Sequence, residues 1–253
     1  MSVAVIIPVR NMADVLERAV LSAAGADEIH VVDDASTDNI GEVMARLPVK
    51  VTYWRWPMKT RNHLAALRTV YHASACRQII GMGADDILKP HLIDAVRSNA
   101  EAAVILSDYD VVDPDGHKIN HVPQDARELR HLTPDEMRKR LQSPRIASET
   151  GIGSSLRADV ADWLWIHNWE AMGPHMDSIG YGSAAATFGC LLLPFTGAAY
   201  TDGRSSYGRS SLATQEREVQ WGRLAFQFLE RAGIDDATAD ALLRKRCNVK
   251  VNR

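Results

Sequence analysis

Val3-Ala4-Val5-Ile6-Ile7 is a continuous apolar run closed by Pro8. A strand with one wet face alternates apolar and polar residues. A strand with no polar face has to be covered on both sides, as in parallel sheets flanked by helices. Pro8 is expected to end the run, because proline has no N–H for a central ladder. Val15, Leu16, Ala19, Val20 and Ala23 then recur at helical spacing, with Asn11 as the expected N-cap, Asp14 behind it and Gly25 as the stop. Further strands are predicted at Glu28–Val32, Val49–Tyr53 and Gln78–Met82, with helices near 40–47 and 63–75 between them. Strands separated in this way by helical patterns predict an α/β fold with a mostly parallel, Rossmann-like sheet and right-handed crossovers.

That register gathers polar residues at one edge of the sheet. Arg10 and Asn11 follow the first strand, Asp33 and Asp34 the second, and Asp85 and Asp86 the fourth. Open α/β sheets bind ligands outside the carboxyl ends of their strands. Paired carboxylates there suit a divalent cation that bridges phosphate oxygens. The plainer alternative is that Asp85 and Asp86 cap the helix that opens near Pro90.

Beyond the fourth strand a fifth is expected at Ala103–Leu106, then a hairpin with Pro-Asp-Gly turn chemistry over 111–119. Thr133-Pro134-Asp135-Glu136 has the cap, proline and glutamate of a helix start. After Glu149 the alternation fades. Gly151 to Ser155 is predicted as a flexible hydroxyl-bearing segment, and Trp163, Trp165 and Trp169 as packing between the sheet and an outer layer. A small-residue helix is expected after Met176-Asp177, a short strand at Cys190–Pro194, a mobile polar loop at 204–211 and a last helix over 212–232 stopped by Gly233. The basic end, with Arg244-Lys245-Arg246, is read as a solvated tail.

The net charge of −3 gives no global electrostatic reason to expect nucleic acid or an anionic membrane. Three widely spaced cysteines, Cys76, Cys190 and Cys247, fit reduced thiols in the cytoplasm. Met1 runs straight into the first strand, which predicts no signal peptide, and the apolar runs are too short for an integral membrane segment.

Four motifs stand in one order: Val5-Ile6-Ile7-Pro8-Val9-Arg10-Asn11, then Val31-Val32-Asp33-Asp34-Ala35-Ser36-Thr37-Asp38, then Arg61-Asn62, then Ala84-Asp85-Asp86. Together they resemble the family 2 inverting glycosyltransferases of GT-A fold. The resemblance implies a nucleoside-diphosphate sugar donor (a UDP-sugar first), a divalent metal (Mn²⁺ or Mg²⁺), and transfer to an acceptor hydroxyl with inversion. It puts Asp34, beside Asp33, on the nucleotide base, with Pro8, Val9, Arg10 and Asn11 lining base and ribose, although members of the family usually have an aromatic where Arg10 stands. It assigns Arg61 to the diphosphate or sugar, Asp86 with Asp85 to the metal, and Arg204 and Arg209, with Tyr207, to a loop closing over the donor. The family's metal motif often begins with an Asp where this chain has Gly83. Asp177 is the implied catalytic base, ahead of Glu170 and Glu149, and Gly153 and Ser154 match a loop that touches sugar or acceptor.

The expected arrangement is one domain: a nucleotide-sugar half over 1–110, an acceptor and base half over 111–211, and a helical segment with a basic tail over 212–253. A saccharide or glycoconjugate is the expected acceptor. The alternatives are a hydroxylated base in nucleic acid, or a non-catalytic nucleotide-sugar-binding protein.

Overall fold

The structure is a computed structural model that describes residues 1–57, 63–143, 152–167, 176–202 and 215–247. The first half alternates as the apolar pattern requires: β1 (Val3–Val9), α1 (Ala13–Ser22), β2 (Glu28–Asp33), α2 (Ile40–Arg46), β3 (Thr52–Arg55), α3 (His63–Ala73), β4 (Gln78–Gly81), the two-residue β5 (Ile87–Leu88) and α4 (Leu92–Ser98). The second half holds β6 (Val104–Val112), β7 (Lys118–Val122), β8 (Arg130–Leu132), α5 (Pro134–Gln142), β9 (Ser155–Arg157), α6 (Ala158–Ile166), α7 (Met176–Phe188), β10 (Cys190–Thr201), α8 (Gln215–Arg231) and α9 (Asp236–Cys247).

All these strands join one sheet, ordered β3-β2-β1-β4-β9-β6-β10-β5, with β7 beside β6 and β8 beside β10. Strands β1, β2, β3 and β4 pair in parallel, as do β6 and β10. Both faces are covered. Val3, Val5, Ile7 and Val9 point into one apolar layer with α1, α2 and α4, while Ile6 points into the other with α3 and α5 to α9. The five residues Val3 to Ile7 are fully buried, which is why the run carries no polar position.

Several boundaries differ from expectation. Pro8 lies inside β1, opposite Val32, and the strand runs on to Val9. Asn11 does not cap α1: Met12 occupies that position without a side-chain cap, and Asn11 sits in the left-handed region at φ 50°. Residues 152–155 are not an open flexible segment. Ile152, Ser154 and Ser155 are buried, and β9 slots antiparallel between β4 and β6. Strand β10 passes Pro194 and continues to Thr201, absorbing the proline through register shifts against β6.

At the C-terminal end the expected tail is largely helix. In α9, Ala239, Leu242 and Leu243 are buried in the layer that contains α5, α7 and α8. The small residues of α7 serve that contact, because a Cβ on Gly182 would come within 2.6 Å of Leu242. The cap of α5 forms as its sequence predicts: the Thr133 hydroxyl accepts from the Glu136 amide, and Glu136 accepts from the Thr133 amide at 2.8 Å. Trp165 is buried and Trp163 meets Phe188 edge-on at 5.2 Å, so both belong to packing; Trp169 lies outside the described residues. Among the described residues no helix is long and apolar enough to cross a membrane.

Candidate active site

The carboxyl ends of β1 and β2 are adjacent because Val9 and Asp33 are register partners. The loops that leave them are stapled together. The Asn11 amide donates to Ser36 Oγ at 3.0 Å, and Asn11 Oδ1 accepts from the Thr37 amide at 2.8 Å. The Ala13 amide donates to Asp38 at 2.9 Å, so the cap of α1 comes from the neighbouring loop. Asn11 and Ala35 both hold positive φ, 50° and 55°, a conformation that the staple enforces on these two residues.

Within this frame the two acids differ. Asp33 is fully buried and spent on structure: it accepts from the Ser36 amide at 2.8 Å and the Tyr53 hydroxyl at 2.6 Å, with Arg55 at 3.6 Å. Burial, together with the hydrogen bond to Asp33, raises the Tyr53 phenol above its ordinary range. Asp34 is 9 % exposed and lies 3.8 Å from the Arg10 guanidinium. Val9 is buried in the core, and Pro8 is half-buried beside it. Behind this edge the Trp54 indole donates to His30 Nδ1 at 3.1 Å, and His30 Nε2 pairs with Glu28 at 2.9 Å, which fixes the imidazole tautomer.

The second cluster stands where β4 ends. Asp86 is 4 % exposed, and both its oxygens accept backbone amides: Oδ2 from Gly83 and Oδ1 from Thr201, each at 3.0 Å. Thr201 also donates its hydroxyl to the Asp85 carbonyl, so the end of β10 is clamped to this loop. Burial, then the charges of Asp85 and Asp177, push Asp86 up to about 7 against the pull of the two amides. Asp85 is half-buried. A Cβ on Gly83 would come within 2.6 Å of an Asp86 oxygen and 3.0 Å of an Asp85 oxygen. The glycine is therefore what leaves room for both carboxylates where they stand.

Asp177 is exposed in the first turn of α7, and its charge is felt at Asp86 and at the buried phenols of Tyr71 and Tyr181. The two tyrosines are hydrogen-bonded to each other, and their oxygens lie 3.5 and 4.0 Å from the position of a Cβ on Gly81. The expected base thus stands within electrostatic reach of Asp86 of the expected cation pair. Gly153 and Ser154 are packed inside the sheet: Gly153 has φ 65° and accepts from Ser107 Oγ at 2.7 Å, and Ser154 is 2 % exposed. Arg61, Arg204, Tyr207, Arg209, Glu149 and Glu170 lie outside the described residues.

Tyr53, Arg55 and Thr201 carry no local sequence signal for the site, and only contacts between distant segments reveal them. Ser36, Thr37 and Asp38 carried a signal, being polar loop residues with hydrogen-bonding side chains. A separate group, Asp113, Asp115 and His117, brings three potential ligand atoms within 4.8 Å on the β6–β7 turn. Asp113 is engaged there in closing the turn, accepting from the His117 amide at 2.8 Å.

Residues 4–164 match the family described as Glycosyl transferase family 2. Among solved structures, the chain is similar to S. aureus TarS 1–349 in complex with UDP-GlcNAc: TM-score 0.70, 16 % identity, covering 97 % of this chain and 71 % of that one. The complex of the same TarS fragment with UDP gives TM-score 0.68 and 17 % identity, covering 97 % and 70 %. Against the longer S. aureus TarS structure the values are 0.62 and 16 %, and the chain spans about half of that protein, 53 %. The curated proteins contain no match.

Proposed function

The chain belongs to glycosyltransferase family 2 and has the GT-A fold, and from that premise we propose that it is an inverting, divalent-cation-dependent transferase. It moves a sugar from a UDP-sugar to an acceptor hydroxyl, with a saccharide or glycoconjugate as acceptor. The observation that carries this reading is that Asp34 and the Asp85–Asp86 pair follow the parallel strands β2 and β4 at one sheet edge, with the Asp177 charge within reach of Asp86. The TarS complexes with UDP-GlcNAc and UDP support the choice of donor.

In this mechanism Asp34 accepts from an N–H of the base, which discriminates against rings lacking that donor. Asp177 takes the proton of the acceptor hydroxyl. The freed oxygen forms its bond to the anomeric carbon from the face opposite the diphosphate, as the bond from that carbon to the diphosphate oxygen breaks. The electron pair of the broken bond leaves on the nucleoside diphosphate. Asp85, the more open of the two, and Asp86 would hold a divalent cation of the kind that takes one or two carboxylates plus phosphate and water. The chemistry such a cation would supply when bound is neutralisation of charge on the departing diphosphate. Arg61, Arg204 and Arg209 are proposed as further partners of the diphosphate. The cytoplasm is the proposed compartment.

The test is a thermal-shift screen of UDP, UDP-GlcNAc, GDP and CDP with and without Mn²⁺ or Mg²⁺. A cation-dependent rise with UDP and UDP-GlcNAc is expected, and no rise with any nucleotide overturns the donor assignment. Asp177→Asn is expected to keep the UDP-GlcNAc shift and to lower transfer at least about 100-fold, in line with loss of a general base. Transfer at the wild-type rate in that variant rules out Asp177 as base.

A further inference from the structure

We propose that Arg10 is the specificity-determining residue of the donor site: it holds the Asp34 carboxylate against the imide N–H of uracil and donates to the adjoining ring carbonyl. This rests on the donor-site reading given above.

Arg10 and Asp34 are the first residues past β1 and β2, and the Asp34 amide donates to the Val9 carbonyl at 3.0 Å. The two side chains therefore leave adjacent strands at one level. The Arg10 side chain is 36 % exposed, yet its Nη1 is buried and has no hydrogen-bond partner among the described residues. The exposure belongs to the rest of the side chain, so the guanidinium straddles the wall of the site with one amino group sealed inside. That group points at Asp34 from 3.8 Å, beyond hydrogen-bonding length. A buried donor left unmatched is unfavourable.

The surroundings are fixed. Asp33 is held by Ser36 and Tyr53, and the loops on either side are stapled through Asn11–Thr37 and Ala13–Asp38. Within this frame the Arg10 amino group is the buried donor that stands next to Asp34 without a match among the described residues. Closure to a direct charge-assisted hydrogen bond satisfies the buried amino group and orients the carboxylate. The outer part of the guanidinium then supplies a donor beside that acceptor. Uracil presents an N–H flanked by carbonyls and matches this arrangement. Cytosine presents a lone pair at the same ring position, facing the carboxylate. An arginine in this place is therefore a reader of the ring edge, where an aromatic side chain would stack on its face.

The experiment is calorimetric titration of UDP and of CDP, each with Mn²⁺, into the wild type, Arg10→Met, Arg10→Lys and Asp34→Asn. The wild type is expected to bind UDP at least about tenfold tighter than CDP, one well-made hydrogen-bond difference being worth that factor. Arg10→Met is expected to lose at least about tenfold in UDP affinity and most of the preference over CDP, with Arg10→Lys in between. Asp34→Asn is expected to lose the preference as well. Melting temperatures of the four proteins separate these losses from misfolding. An Arg10→Met protein with wild-type UDP affinity and preference overturns the inference and leaves the donor site standing. Equal binding of UDP and CDP by the wild type does the same. Binding of neither nucleotide by the wild type removes the donor-site reading and the inference with it.

Discussion

Asp86 shows how one side chain serves structure and site together. Its two oxygens take the amides of Gly83 and Thr201, and burial beside Asp85 raises it to about 7. The folded-state value lies above the ordinary 3.8, so the folded protein holds a proton that the unfolded chain has released between roughly pH 4 and 7. The contribution of this group to stability is complete below that window and is lost as pH rises through it. Without added cation, urea unfolding of the wild type is expected to show this fall between about pH 4 and 7, and Asp86→Asn should flatten it. A slope unchanged in the variant removes Asp86 as its source. The acids themselves were legible in the sequence, since Asp33, Asp34, Asp85 and Asp86 follow apolar runs. Their division of labour was not. Tyr53 and Ser36, which occupy Asp33, and Thr201, which occupies Asp86, are brought to them by strand pairing between distant segments.

Among the elements, α7 ties the base side of the site to the sheet. Tyr181 lies one turn beyond Asp177, is 1 % exposed, and hydrogen-bonds Tyr71 of α3 above Gly81, two residues before Gly83. Tyr181→Phe fits the same space but removes the hydrogen bonds with Tyr71 and with the Gly81 backbone, so it is expected to cost about 1–3 kcal/mol in denaturant unfolding. A variant as stable as wild type would mean that Tyr71 finds another partner there. Elements with a strong local signal were readable: the apolar run of β1, the capping box of α5, the turn between β6 and β7. Strand β9 was not, because three residues that begin two positions after a glycine with φ 65° carry no period, and their place is set by the gap between β4 and β6. Helix α9 was masked by the basic residues at its end, which drew attention away from Ala239, Leu242 and Leu243 on its buried face.

For the molecule as a whole, four motifs in one order were enough to give the fold and the family, because three of them stand at the ends of β1, β2 and β4 in the same parallel half. The acceptor side lacks such markers, its order coming from helix packing in which residues far apart share one layer. The last helix belongs to that layer: Leu242 is 4 % exposed and packs against Gly182 of α7. Leu242→Ala is expected to destabilise the whole protein by about 2–5 kcal/mol in a single unfolding transition. A separate early transition would show that α9 melts independently of the rest.

The position of β9 has a consequence in time. Its partners β4 and β6 are complete long before it is synthesised; Gln78 meets Arg157 only after the intervening chain has been made. Until then the growing sheet has a gap at its centre, bounded by two strand edges with unsatisfied amides and carbonyls. Closing that gap is a non-local event and therefore slow. Folding of the refolding chain, followed by amide protection, should show β1 to β3 protected first and β4, β6 and β9 together later. Chains halted before Ser155 should be held by chaperones or self-associate, although Asp34, Asp85 and Asp86 have already been made.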